Sequence, residues 1–263
     1  MRLFVPCAIS ILVATAVALG DPYGPPYAVT DMAPYCATCH ASTSLAQLPD
    51  LPPEIAVTET IEQKHLTHIQ TSVAYKDLTA AERQSLLNAV KWADAQATVT
   101  IKGPAQAKRN SRIEVTVITR GGAGPVVGVS LVDSVVRFQA RPIGSSGFKV
   151  LGPPLIIGPE RKAQTDWIDR RMRGFDLGLG TIMIAGIQGD AVTKHVDETR
   201  TTWTLRTPPE PGVYGIVAAF YYGTEKAHPL GTVKRNGRAE PRGGVNGGSG
   251  RVMFSTVLTI TVN

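Results

Sequence analysis

The chain has 263 residues, 27 Lys and Arg against 21 Asp and Glu, and a formal net charge of +6. That mild excess is spread along the chain, with one local concentration near residues 232–251, so nucleic acid is not expected as a partner. With 43% hydrophobic and 18% charged residues the composition is that of a globular chain, long enough for one large domain or two modest ones.

The first segment, "MRLFVPCAISILVATAVALG", places Arg2 before an apolar run and ends in small residues. This is the layout of a secretory signal peptide over residues 1–20. The run falls short of the roughly 20 residues a spanning helix needs, and no later stretch approaches that length. The expectation is an exported protein, periplasmic or extracellular, with no transmembrane segment after cleavage. Cys7 leaves with the signal, so of three cysteines only Cys36 and Cys39 remain.

Both lie in "APYCATCHAST", with His40 directly behind the second. Exported proteins usually spend cysteines on disulfides, yet the rest of the chain has none to bridge. Three chemistries use this cluster. A thiol–disulfide pair needs a βαβ setting, whereas a proline-rich stretch precedes the motif and strands dominate the later part of the chain. A zinc site could recruit His65 and His68, but the 25-residue gap and the H-x-x-H spacing depart from common zinc patterns, and His40 has no role in it. The third chemistry is haem c attachment. Cys36 and Cys39 add to the two vinyl groups of one porphyrin, and His40 lies under the iron as proximal axial ligand.

Further along, "TIEQKHLTHI" is expected to be a short helix on which Ile61, His65 and His68 share a face. "LTAAERQSLLNAVKWADAQ" is the clearest helix. Thr79 and Glu82 form a capping box, and Leu86, Val90 and Ala93 recur on one face. From about residue 98 the period changes to two. "ATVTIKG", "RIEVTVITR", "VVGVSLVDSVVRFQA", "TIMIAGI", "TTWTLRT", "GVYGIVAAFYY" and "RVMFSTVLTITV" read as strands without intervening helices, the pattern of an antiparallel sandwich. Trp203 is assigned to its core, and Tyr214 to a tyrosine corner whose hydroxyl folds back onto the backbone. "GPERKAQTDWIDRRMRGFDLGLG" and "KRNGRAEPRGGVNGGSGR" break the strand pattern and are expected to be loops. His195 and His228 are read as ordinary loop or strand-end residues.

Residues 36–95 resemble a small class I cytochrome c, from CATCH through a ligand region to a terminal helix entered by "LTAAE". The family's methionine ligand stands about ten residues ahead of that helix, but here no methionine occurs between Met32 and Met172. His68 stands ten residues before Leu78 and His65 thirteen. The resemblance therefore implies haem iron held by His40 and His68, with His65 the alternative. The family's N-terminal helix is missing, so the haem pocket is abbreviated and is expected to borrow a wall from the sandwich. The later half more weakly resembles immunoglobulin-like or reelin-like sandwiches that follow a C-x-x-C-H segment in some exported bacterial proteins.

The expected organisation is α+β and multidomain, with a signal at 1–20, a cytochrome c-like segment at 21–96 and an immunoglobulin-like β-sandwich at 97–263. The expected function is one-electron transfer by a single covalent haem c, with a cell-envelope redox protein as partner and no enzymatic turnover. The sandwich then serves as a docking module, and Lys234, Arg235, Arg238, Arg242 and Arg251 are candidates for steering an acidic partner. Two rivals stay open. One is a haem peroxidase or ligand sensor, against which counts the lack of an arginine beside either histidine. The other is a non-catalytic surface binding module with a structural haem or zinc site.

Overall fold

The computed structural model describes residues 65–133, 143–164, 180–235, 237–243 and 250–263. Two helices lead the described chain: α1 (Thr67–Thr71) and α2 (Ala80–Gln96). The capping box at α2 is present as expected. Thr79 Oγ1 accepts from the Glu82 N–H at 3.3 Å, and Glu82 Oε2 accepts from the Thr79 N–H at 2.8 Å. Those backbone and hydroxyl donors hold the Glu82 carboxyl below its ordinary range. The helix stops at Gln96, and strand β1 (Thr98–Lys102) starts two residues later.

Two sheets face each other. The first has the order β1, β3 (Arg112–Arg120), β10 (Glu198–Arg206), with β5 (Lys149–Val150) and β6 (Leu155–Ile157) both on the far edge of β10. The second has the order β2 (Gln106–Ala107), β15 (Leu258–Val262), β11 (Gly212–Tyr222), β4 (Val126–Asp133), β7 (Thr181–Ala185), and β14 (Arg251–Phe254) also pairs with β11. All these pairings are antiparallel except β2 with β15. Strict alternation in β3 and β10 turns Val115, Val117, Trp203 and Leu205 inward. They meet Val129, Ile184, Ile216, Phe220 and Ile260 of the other sheet in one core. Trp203 is fully enclosed there. Tyr214 donates its hydroxyl to the Glu210 carbonyl at 2.9 Å, which makes the tyrosine corner.

Two departures from the sequence reading have local causes. The C-terminal run is two strands because Ser255 interrupts it, its Oγ accepting from the Ala218 N–H at 2.9 Å and so taking a ladder position. The basic stretch after Thr232 is not wholly a loop. β12 (Thr232–Arg235) and β13 (Arg238–Pro241) form a hairpin around Gly237, whose φ of +76° a two-residue turn requires. A second small hairpin joins β8 (Gly189–Asp190) to β9 (His195–Val196).

The helices pack on one end of the sandwich. Leu86, Leu87 and Val90 of α2 close over Leu66, Ile69, Tyr75 and Leu78, and Leu230 of the sandwich joins this cluster. Ala89 and Ala93, one turn apart, meet Ala123, Ala191 and Ala227. Small residues on both sides let the helix lie close against the strand ends. At Gly121 (φ +89°) a Cβ would sit 2.9 Å from the Ala97 Cα and the Gln96 carbonyl, so the helix exit passes where only glycine fits.

Candidate functional site

Cys36, Cys39 and His40 lie outside the described residues, as do residues 1–20, expected to be a signal, and Ile61. Of the expected site residues the structure places His65 and His68. They do not share an environment. His65 is 2% exposed and enters the interior beside Leu66 and Ile69. His68 is half-buried, at the border between that interior and the surface. The i, i+4 relation puts His65 with Ile69 and gives His68 the next stripe of the helix. Among the described residues no group of three His, Cys, Asp or Glu could hold a metal ion. No described helix is long and apolar enough to cross a membrane.

The connection from α1 to α2 is tied down at every step. The Ser72 N–H donates to the His68 carbonyl at 2.9 Å, and Ser72 Oγ accepts from the Ala74 N–H at 3.3 Å. Arg83 reaches back with Nε to the Leu78 carbonyl at 3.3 Å and with Nη1 to the Gln70 carbonyl at 2.5 Å. Two further ties cross to the sandwich. Tyr75, fully buried, donates its hydroxyl to the carboxyl of Glu225, also fully buried. Arg242 Nη1 bonds both oxygens of Asp77, at 2.5 and 2.6 Å. That guanidinium holds the Asp77 carboxyl below its usual value.

A third tie fixes the other end of α2. Arg251 Nε bonds Asp94 Oδ2 at 3.1 Å, and the Tyr222 hydroxyl donates to Asp94 Oδ1 at 3.2 Å. The Arg251 side chain has no exposure, and that of Asp94 has 22%. Burial pushes the Asp94 carboxyl above its ordinary range, against the pull of Arg251 and Tyr222. Two of the five basic residues read as partner-steering charges, Arg242 and Arg251, are therefore internal struts. Lys234 and Arg235 stay exposed on the β12–β13 hairpin. None of Tyr75, Asp77, Glu225 and Asp94 carried a sequence signal, because their partners lie 128 or more residues away.

At the start of β9 the exposed His195 ring places Nε2 3.1 Å from Asp197 Oδ1. His228 Nδ1 accepts from the Leu230 N–H at 3.2 Å, a turn role. At the opposite end of the sandwich a cavity of about 450 Å³ is lined by Asp133, Ser145, Ser146, Pro208, Glu210 and Tyr214, among others.

No family model matches this sequence, and no curated protein does. Among solved structures, the chain is similar to the CARDB domain of a Pyrococcus furiosus protein, described in complex with di-metal ions. Identity is 17% over 64% of this chain and 90% of that one, with a TM-score of 0.24.

Proposed function

We propose that the protein is an exported, periplasmic or extracellular, monohaem c-type cytochrome that carries one electron, with the β-sandwich as its docking module. The observation that carries the reading is Cys36-Ala37-Thr38-Cys39-His40 in a chain that opens with an export signal. Two independent features agree, since haem is attached outside the cytoplasm.

A porphyrin needs an apolar setting and an imidazole from the distal side. His68, half-buried at the border of the buried cluster of Leu66, Ile69, Leu86 and Val90, is a donor of the right kind. In this reading Cys36 and Cys39 would hold the haem by thioether bonds, and His40 with His68, or His65 as the alternative, would ligate its iron. Bound haem c supplies one-electron exchange at its exposed edge. The apolar cluster excludes water, and the capped α2 fixes the ligand segment against the sandwich. The partner is a redox protein of the cell envelope, met through the exposed Lys234 and Arg235.

A second reading, a surface binding module with a structural haem, is favoured by the open cavity at the far end of the sandwich. Visible spectra of protein matured in a periplasm, with and without dithionite, separate the readings. Sharp low-spin ferrous bands that equilibrate rapidly with a small one-electron carrier support electron transfer. A high-spin spectrum that changes on adding carbon monoxide overturns it in favour of a sensor or peroxidase. A low-spin haem that exchanges no electrons leaves the binding module.

A further inference from the structure

Helix α1 has five residues and no side-chain cap at its N-terminus. A helix so short does not hold itself together in water, because one or two turns do not repay the cost of nucleation. The placement of His65 and His68 is therefore set by what grips the chain around them. Upstream of His68 the grip is apolar, through Leu66, and Ile69 continues it one residue beyond. Downstream Arg83 of α2 holds the Gln70 carbonyl at 2.5 Å and Tyr75 and Leu78 join the apolar cluster, and two polar ties come from the sandwich. Tyr75, seven residues past His68, is bound by Glu225, and Asp77, nine past, by Arg242.

Glu225 is itself held rigidly. Its carbonyl accepts from the His228 N–H at 3.2 Å, in the turn Glu225–Ala227. Gly231 packs so tightly against it that a Cβ there would lie 1.8 Å from the Glu225 carbonyl oxygen. Arg242 is held from the same strap. Its Nε donates to the Leu230 carbonyl at 2.9 Å and its backbone N–H to the Gly231 carbonyl at 2.8 Å. One stretch of the sandwich, residues 224–231, thus anchors both ties behind His68.

We propose that Glu225, acting through Tyr75, is a positioning residue for the axial histidine, so that the sandwich completes the haem site as well as docking it. The inference rests on the haem reading above. The Tyr75 hydroxyl and the Glu225 carboxyl meet away from water, and removing either takes a buried hydrogen bond from the other. The connection then relaxes, and the histidine that would ligate the iron is held less firmly.

The test uses full-length, haem-loaded Tyr75→Phe, Glu225→Ala, Glu225→Gln and Arg251→Met. For each, the ratio of carbon-monoxide-binding to six-coordinate ferrous haem is read from the visible spectrum, beside a thermal melt. Tyr75→Phe and Glu225→Ala should raise that ratio about tenfold, the shift expected for one buried hydrogen bond. Glu225→Gln keeps an acceptor for Tyr75 and should stay near wild type. Arg251→Met, at the far end of α2, should lower the melting temperature without moving the ratio. An unchanged ratio in Tyr75→Phe, or an equal rise in Arg251→Met, overturns the proposal while the haem reading stands. Tyr75→Phe removes one oxygen only and decides the matter if Glu225→Ala does not fold. Wild-type protein carrying no covalent haem sinks the functional reading itself, and this inference with it.

Discussion

Replacing Arg251 by methionine should be among the most damaging changes outside the hydrophobic core. The guanidinium stem has no exposed area, and its Nε bonds Asp94 at 3.1 Å. Methionine fills much of the volume but leaves the carboxylate with Tyr222 alone, at 3.2 Å. Breaking a buried ion pair by removing one partner costs about 3–5 kcal/mol. Asp94 keeps 22% of its side-chain surface in water, which places the expected loss at the lower end, about 3 kcal/mol. For a chain of this size that corresponds to a fall of about 6–12 °C in melting temperature. Removing both charges, as Asp94→Leu with Arg251→Met, should recover most of it, because no uncompensated charge remains. Thermal melts by circular dichroism on the two single variants and the double give the coupling directly. If Arg251→Met melts within about 2 °C of wild type, well short of that fall, the buried pair does not join α2 to the sandwich and the reasoning fails.

Trp203→Ala should cost about 3–5 kcal/mol by opening a cavity between the sheets, measured by urea titration. Thr79→Ala removes the acceptor for the Glu82 N–H and should cost about 1 kcal/mol, seen in the same titration. A pH dependence arises from Asp77, whose folded value is lowered chiefly by its hydrogen bonds to Arg242. A depressed carboxyl contributes stability above its unfolded value and loses it as pH falls toward the folded one. The melting-temperature gap between wild type and Asp77→Asn should therefore be constant from about pH 7 to about 5 and close below about pH 4. A gap that widens on acidification contradicts the assignment.

Much of the fold was legible because its signals are local. Thr79 and Glu82 announce α2 within four residues, and the alternation in "RIEVTVITR" gives β3 its full range, Arg112–Arg120. Tyr214 sits behind "PPEPG" as a corner residue does, and it makes the expected backbone bond. Part of what failed depended on distance along the chain. Arg242 and Arg251 look like loop charges because the local sequence is basic and glycine-rich, yet their partners, Asp77 and Asp94, lie on the helical side. Between β12 and β13 the sequence reads Asn-Gly, a hairpin signal that a composition-based reading as loop overrode. For the site, helical spacing grouped His65 with His68, and their different burial reflects which stripe meets Leu86 and Val90, something spacing alone does not give.

The central claim is covalent haem at Cys36 and Cys39. The most direct measurement is the mass of the denatured polypeptide matured in a periplasm, with in-gel haem staining beside it. Thioether attachment predicts a polypeptide heavier by one haem that still stains, and a Cys36→Ala, Cys39→Ala double variant that does neither. A wild-type chain at its apoprotein mass, or a double variant that still stains after denaturation, would contradict it.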